Sequence, residues 1–340
     1  MKLNRREFLK RLGALAGTLI IAKPSISQAY SKGEAPSIYA TGNKANEKVW
    51  KIYEERKKKH LPPPEEPYGV LIDISKCIGC RRCEWACNEW NKNPNRPLKE
   101  FEASVHQKPS VFDKIRRPHA GNFTVVNRFY TKDGIPLYVK KQCMHCIHPA
   151  CYSACLVEAY RKTPEGPVIY NKSVCLGCRY CMLACPFDIP AYEYYDPITP
   201  QITKCTMCYD RIVEGKVPAC VEICTAGALT FGKRSEIIKL AWDRIGNNPG
   251  KYVPYVYGEK EVGGTSWLYI SPVPFEEVGF LTEIGETPIP EYSDSFLFAV
   301  KLFEVVGAWP LVFGAYYQIS RSRKKKQSIN EEKGEGHGKK

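Results

Sequence analysis

Apolar residues along this chain come mostly in short stretches that are broken by glycine, proline and polar residues. The stretch Tyr68–Asp73 predicts a strand, and Val168–Tyr170, which follows a Pro-Glu-Gly turn, predicts another. The stretches Phe123–Tyr130 and Ile135–Val139 flank an Asp-Gly pair and predict a β-hairpin. Helical periodicity is expected over Ser235–Ile245. Short strands and helices with many turns between them indicate an α+β fold.

The N-terminal apolar run has the surroundings of an export signal. Leu12–Ala22 follows a basic segment with the pair Arg5-Arg6, and Ser27–Ala29 then offers small residues for cleavage. Paired arginines followed by Phe-Leu-Lys resemble the twin-arginine signal, which carries folded proteins with their cofactors already bound. We therefore expect residues 1–29 to be a twin-arginine signal rather than an ordinary amphipathic helix.

The C-terminal apolar run, Leu302–Ser320, has about the length of a membrane span. Lysines and arginines follow it at once, which is typical of the cytoplasmic side of a span. Glu304 and Pro310 lie inside the run and disfavour a span, because a buried acid is costly in the bilayer. We expect a transmembrane helix over 294–320; the alternative is a hydrophobic helix that docks on a partner.

The net charge of +14 is concentrated at the ends of the chain. Residues 1–29 hold six Lys/Arg against one Glu, and residues 321–340 hold eight against three. A basic protein invites the hypothesis of nucleic-acid binding. Here most of the excess falls on a targeting segment and a tail, so we expect no nucleic-acid partner.

All sixteen cysteines fall into four groups of four. The spacing is two, two and three residues in the first and third groups; the second and fourth have longer gaps. The groups are Cys77, Cys80, Cys83, Cys87; Cys143, Cys146, Cys151, Cys155; Cys175, Cys178, Cys181, Cys185; and Cys205, Cys208, Cys220, Cys224.

This spacing is typical of ferredoxins, which hold [4Fe–4S] clusters on cysteine thiolates. Three ligands come from one tight loop, in which Gly79 and Gly177 let the backbone approach the cluster, and the fourth is expected to open the following helix. Structural zinc usually uses two separated cysteine pairs, and haem attachment needs a histidine after the second cysteine. Disulfides do not explain the repeated spacing. The sequence therefore predicts four [4Fe–4S] clusters.

The expected fold class is α+β, with duplicated bacterial ferredoxin-like modules between an export signal and a C-terminal transmembrane helix. Strand, cysteine loop and short helix recur along the middle of the chain, so the repeat defines the fold. The predicted segments are the signal (1–29), a linker (30–67), the four-cluster domain (68–233), a docking extension (234–293), the transmembrane helix (294–320) and a basic cytoplasmic tail (321–340).

The cysteine pattern resembles the four-cluster iron–sulfur subunits of the dimethyl sulfoxide reductase and formate dehydrogenase family, over roughly residues 68–290. A signal and a terminal span in one chain, with the segments 141–146 (KQCMHC) and 258–266 (GEKEVGGTS), are similar to members that serve [NiFe] hydrogenases of the hydrogenase-2 type.

The family pairing, carried over position by position, implies that the outer groups exchange their last cysteine and that the inner groups do the same. Only Cys185 is followed by proline, as in the bacterial pattern, which leaves the helix starts after the other three open. The implied ligand sets are Cys77, Cys80, Cys83, Cys224 (cluster one); Cys143, Cys146, Cys151, Cys185 (cluster two); Cys175, Cys178, Cys181, Cys155 (cluster three); and Cys205, Cys208, Cys220, Cys87 (cluster four).

The resemblance implies a non-catalytic electron-transfer subunit. Electrons would pass between a catalytic subunit, expected to be a [NiFe] hydrogenase, and a quinone-reactive membrane subunit, at the periplasmic face of the inner membrane with the C-terminus in the cytoplasm. Arg81, Arg82 and Arg179 follow ligand cysteines, where they would raise cluster potentials, face a partner or be solvated. No catalytic residue is expected, because no substrate-site motif occurs.

Three other functions remain open. The first is the iron–sulfur subunit of a molybdopterin oxidoreductase acting on polysulfide, arsenate, formate or a similar compound. The second is a self-contained enzyme, which predicts turnover by the isolated chain. The third is a structural zinc protein, which predicts a colourless chain without iron.

Overall fold

The computed structural model describes residues 43–103, 105, 110–194, 200–292, 302 and 309–335. These fall into two compact units that divide after Pro288. The predicted signal (1–29), residues 30–42 of the predicted linker and residues 336–340 of the predicted tail lie outside the described residues.

The first unit combines short strands with mostly short helices, as the α+β prediction requires. Its helices are α1 (Asn43–Lys58), α2 (Arg82–Asn91), α3 (Leu98–Ala103), α4 (Ala150–Ser153), α5 (Tyr180–Leu183), α6 (Tyr209–Ile212), α7 (Ala219–Glu222) and α8 (Arg234–Gly246). Its strands are β1 (Tyr68–Asp73), β2 (Val125–Tyr130), β3 (Pro136–Lys141), β4 (Tyr160–Lys162), β5 (Val168–Tyr170), β6 (Ala191–Tyr192), β7 (Ile202–Thr203), β8 (Leu229–Lys233) and β9 (Trp267–Ile270).

The three-stranded sheet has β1 at its centre. Strand β8 pairs antiparallel with β1, so that Val70 faces Phe231, and β9 pairs parallel with it, so that Val70 faces Trp267. Helix α8 covers one side through Ile237 and Ala241, which pack with Leu71 and with residues of β9. Burying these aliphatic side chains stabilises the sheet by roughly 1.5–3 kcal/mol per large residue.

Each remaining pair of strands forms a small antiparallel hairpin: β2 with β3, β4 with β5, and β6 with β7. The structure confirms the predicted hairpin, since β2 and β3 flank the Asp-Gly turn, and it confirms the predicted strands Tyr68–Asp73 and Val168–Tyr170. The helix predicted over 235–245 is α8.

Part of the predicted linker is packed structure. Val49 of α1 is buried with Ile169 and Tyr209, and the Nζ atom of Lys48 lies 2.7 Å from Oδ2 of Asp210. Helix α1 is therefore packed against the cysteine region. Of the described residues before β1, those that follow this helix, 59–67, have the irregular backbone expected of a linker.

The predicted boundary at residue 233 does not divide two compact units. Strand β9, which lies within the predicted docking extension, is an edge strand of the three-stranded sheet, and its side chains belong to the core: Trp267, Leu268 and Ile270 are completely buried. The sequence did not reveal this pairing, because the whole cysteine region, from Cys77 to Cys224, lies between β1 and β9.

The second unit contains helix α9 (Trp309–Glu335), which includes the second half of the predicted span. Residues 294–301 and 303–308 of the predicted transmembrane helix lie outside the described residues. Among the helices that the structure describes, none has both the length and the apolarity needed to cross a membrane.

Candidate iron–sulfur centres

Two interior cavities of the first unit are each lined by four cysteines. One is bounded by Cys77, Cys80 and Cys83 of the first loop together with Cys224, the last cysteine of the chain. Strand β1 leads into this loop, and β8 starts five residues after Cys224, so the sheet brings the two ends of the cysteine region together.

The second cavity is lined by Cys143, Cys146 and Cys151 of the second group together with Cys185 of the third. Strand β3 leads into the first two of these cysteines, and Cys151 lies on the short helix α4. Each cavity thus combines three cysteines of one group with the last cysteine of another, as in the sets that the family resemblance implies.

The other eight cysteines also gather in two sets. Burial raises the pKa of the Cys87 thiol well above its usual range, and the sulfurs of Cys205, Cys208 and Cys220 raise it further. Burial likewise raises the pKa of Cys181 to about 11; a hydrogen bond from Tyr160 opposes this shift, and three neighbouring cysteines add to it, namely Cys155, Cys175 and Cys178.

These thiols fit an iron–sulfur cluster on chemical grounds. A buried thiol surrounded by other sulfurs resists deprotonation, whereas a coordinating metal centre deprotonates it outright. All sixteen cysteines are free thiols, so none is committed to a disulfide. In the part of the chain that the structure describes, no group of three or more His, Cys, Asp or Glu side chains could hold a single metal ion.

The four loops share one backbone feature. The residue two positions after the first cysteine has a left-handed backbone: Gly79 (φ 71°), His145 (φ 50°), Gly177 (φ 72°) and Met207 (φ 55°). This turn lets the amide N–H donate to the first sulfur, at 3.3 Å from Gly177 to Cys175 and 3.3 Å from Met207 to Cys205. The glycines were predicted; comparing the four loops by spacing would also have pointed to His145 and Met207.

Helix positions differ from the prediction that the fourth cysteine opens a helix. Cys83, Cys151, Cys181 and Cys220 lie within α2, α4, α5 and α7, so the third cysteine of each group is helical. The prediction is wrong in all four groups: Cys155, Cys185 and Cys224 come after the helix, and Cys87 lies in the middle of α2, which begins at Arg82. A helix of one turn is enough to turn the chain from the loop towards the other group.

Tyrosine hydroxyls contact sulfurs of the third group. The hydroxyl of Tyr160 donates to Sγ of Cys181 at 3.5 Å, and Tyr170 makes a side-chain hydrogen bond with Cys175. Both tyrosines belong to the β4–β5 hairpin and are buried. Hydrogen bonds to cluster sulfurs are one of the means by which a protein sets reduction potential.

The arginine beside the first loop is paired. Buried Arg81 donates from Nη2 to Oε2 of Glu84 at 2.9 Å, and Arg116 donates to the same carboxylate from the hairpin side, at 2.6 Å to Oε1. Burial alone would raise the pKa of Glu84, but hydrogen bonds from the two guanidinium groups outweigh it and hold the pKa below its usual value. Arg82 pairs with Glu102 at 2.6 Å, and Arg179 is exposed and lies over the ring of Tyr192.

The folded loops and their cysteine sets define a ferredoxin-type iron–sulfur protein. The family described as a 4Fe-4S dicluster domain matches residues 136–234, which include the second, third and fourth groups. The predicted [4Fe–4S] clusters are confirmed as the cofactor.

Comparison with known proteins places the chain in a family. It is 43% identical to a protein of Nitratidesulfovibrio vulgaris, over 95% of this chain and 78% of that protein. It is 34% identical to the hydrogenase-2 operon protein HybA of Escherichia coli O157:H7, over 81% of this chain and 83% of that protein. It is 31% identical to the formate dehydrogenase-O iron–sulfur subunit of Escherichia coli K12, over 80% and 90%. The chain belongs to the family of ferredoxin-type iron–sulfur subunits of the formate dehydrogenase and dimethyl sulfoxide reductase type, as the cysteine pattern predicted.

Proposed function

We propose that this chain is a non-catalytic electron-transfer subunit with four [4Fe–4S] clusters, held by the four ligand sets that the family resemblance implies. Electrons would pass from cluster to cluster, and this row of clusters is called the wire below. The observation that carries the proposal is the gathering of these cysteines, in particular the two cavities that each combine three cysteines of one group with one of another. When bound, such clusters take up and release single electrons. The protein residues hold them, exclude water from them and fix their neighbours.

Interactions that relate one cysteine set to another indicate a linear order of the four clusters. Cys220 is an electrostatic neighbour of Cys83, which relates set four to set one. Cys143 is in turn a neighbour of Cys205, which relates set two to set four. Tyr160 adjoins both Cys151 and Cys181, which relates set two to set three. Electrons would therefore pass through the sets in the order one, four, two, three, or in reverse.

The two ends of this order reach the surface. The residue after the first cysteine is exposed in the first and third loops, with 63% exposure for Ile78 and 57% for Leu176. The equivalent residues of the inner loops, Met144 and Thr206, are 4% and 3% exposed. An exposed apolar side chain beside a terminal cluster is suited to contact with a partner subunit. Sets one and three are thus the proposed entry and exit.

We infer that the catalytic partner is a [NiFe] hydrogenase and that a quinone-reactive membrane subunit lies at the other end. The likeness to HybA supports the first partner, since HybA is named for the hydrogenase-2 operon. The twin-arginine pattern in residues 1–29 and the basic stretch after the apolar run 302–320 support a position at the periplasmic face of the inner membrane, anchored by that run with the C-terminus in the cytoplasm.

A molybdopterin oxidoreductase is the second candidate for the catalytic partner. The likeness to the formate dehydrogenase-O iron–sulfur subunit supports it, and it extends over nearly the same share of this chain as the likeness to HybA. Both candidates leave the role of this chain unchanged, because in each the chemistry takes place on another subunit.

Electron paramagnetic resonance on the detergent-solubilised native complex separates these proposals. Signals of reduced clusters under H2 would tie the wire to a hydrogenase. Signals under dithionite but not under H2 would keep the wire and reject that partner; formate as reductant would then test the second candidate. Silence under every reductant would reject the four-cluster wire.

A further inference from the structure

Two lysines are buried beside the cysteine cavities. Lys140, on β3, lines the cavity of Cys77, Cys80, Cys83 and Cys224, and it is 2% exposed. Lys204, directly after β7, lines the cavity of Cys143, Cys146, Cys151 and Cys185, and it is 3% exposed. Lysine is almost never fully buried without a counter-charge, so both positions require an explanation.

Neutral groups hold the ammonium group of Lys140. Its Nζ atom donates to Oε1 of Gln142 at 2.8 Å and lies 4.4 Å from the centre of the Trp267 ring. Gln142 donates in turn to the hydroxyl of Tyr269, which donates to the carbonyl oxygen of Lys140. This closed ring of hydrogen bonds fixes the position of the ammonium group and leaves its charge uncompensated.

Lys204 is held in the same manner. Its Nζ atom donates to the carbonyl oxygens of Val168 and Cys205, the latter at 3.1 Å. Within the described ranges, neither Lys140 nor Lys204 forms an ion pair with a carboxylate. The groups near their charge are therefore the cysteine sulfurs, which become anionic as cluster ligands: Lys140 acts electrostatically on Cys83 of set one and on Cys205 and Cys220 of set four, and Lys204 acts on Cys151 of set two.

We propose that Lys140 and Lys204 are fixed internal cations that raise the reduction potentials of the clusters held in these two cavities. This inference rests on the cluster ligation proposed above. Reduction adds one electron and hence one negative charge to a cluster, and a cation at short range in a dry interior stabilises the more negative form. Each lysine would thereby make its cluster easier to reduce, without any proton transfer.

The arginines near the first loop do not supply this charge. Arg81 shares Glu84 with Arg116, and Arg82 pairs with Glu102 at the surface, so each has a carboxylate partner. The unpaired charges in the two cavities belong to residues that lie on the strands entering the cysteine loops, or directly after them, rather than in the loops themselves.

Potentiometric titration of the purified native complex, followed by electron paramagnetic resonance, tests this inference. In Lys140→Met we expect the oxidised-to-reduced ratio of at least one cluster, at a fixed potential, to rise tenfold, which is about 59 mV for a one-electron couple. Lys204→Met should shift a different signal. Lys141→Met is the matched control, because Lys141 follows Lys140 on β3 and its side chain lies on the opposite face of the strand.

Unshifted potentials in both Lys140→Met and Lys204→Met, with full iron content, would overturn the inference. If both variants lose iron, Lys140→Arg and Lys204→Arg decide the matter. Iron and potentials retained in the arginine variants would show that the charge is what the site requires. Iron lost there too would show a purely structural role and would also overturn the inference.

The proposed wire has a separate readout. Iron and sulfide analysis of the unmodified chain tests the clusters themselves, so a failure of the wire appears before any lysine is changed.

Discussion

Gly79 lies against the ring of Tyr138, so closely that a Cβ atom at position 79 would fall 2.4 Å from ring carbon Cδ1. The hairpin thus presses on the first cysteine loop at the residue whose left-handed backbone shapes that loop. Gly177, the equivalent residue of the third loop, has no such neighbour: its nearest contact would be 3.7 Å away.

Gly79→Ala should therefore be more damaging than Gly177→Ala. Both changes place an L side chain in a left-handed backbone, which costs about 1–2 kcal/mol. Only Gly79→Ala adds a collision with Tyr138. We expect Gly177→Ala to keep its iron with lower thermal stability, and Gly79→Ala to lose iron from one cluster. Iron per chain, with thermal loss of visible absorbance, measures both; equal effects of the two variants would contradict the argument.

Tyr160→Phe should lower the potential of one cluster. The change removes the hydrogen bond to Sγ of Cys181, which would hold cluster three, and a cluster sulfur without that bond favours the oxidised form. Potentiometric titration measures the shift. Tyr252→Phe is the control, because its buried hydroxyl donates to Asp73 at 3.0 Å rather than to sulfur. Tyr252→Phe should cost roughly 1.5–3 kcal/mol of stability and leave all potentials unchanged.

Glu84→Gln should destabilise the first unit strongly. Glu84 is completely buried between Arg81 and Arg116, and breaking a buried ion pair at one partner costs about 3–5 kcal/mol, because it leaves buried charge behind. Glu102→Gln breaks the half-exposed pair with Arg82 and should cost about 0–1 kcal/mol. Thermal denaturation of the two variants gives the comparison. Similar unfolding temperatures for the two variants would mean that the ion pairs of Glu84 with Arg81 and Arg116 contribute little to stability.

Cysteine substitutions test the exchange of ligands between groups. If Cys224 serves the cluster of the first group, Cys224→Ser and Cys80→Ser should alter the same resonance signal, and Cys220→Ser should alter another. Their common cavity is the basis for this expectation. A signal shared by Cys224→Ser and Cys220→Ser instead would mean that the fourth group keeps its own last cysteine.

The sequence was sufficient for the local features of the fold. Cysteine spacing predicted the cofactor, and the Asp-Gly turn predicted the hairpin. Gly79 and Gly177 were predicted to let the backbone approach the cluster, and the structure gives both a left-handed backbone. These features depend on a few adjacent residues. The pairing of β9 with β1 depends on residues almost 200 positions apart, so no local pattern in the predicted extension revealed it.

The sequence also could not predict which charged side chains are buried. Lys140 and Lys141 are identical neighbours, and alternation along a strand says that one of them faces inward without saying which. Arg81 and Arg82 pose the same problem, which only the positions of Glu84 and Glu102 resolve. Tertiary packing, and not the sequence pattern, therefore decides which residue of each identical pair is buried.

The central position of β1 has a consequence for biosynthesis. Its two neighbours in the sheet come from residues 229–233 and 267–270, so the first cysteine loop emerges from the ribosome long before the strands that flank it. Folding from the N-terminus onward cannot complete this loop, although domains generally fold in that order during translation. The strand that leads into the first loop therefore lacks both of its neighbours until nearly the whole unit has been synthesised, and a chain truncated before β9 would leave one edge of that strand unpaired.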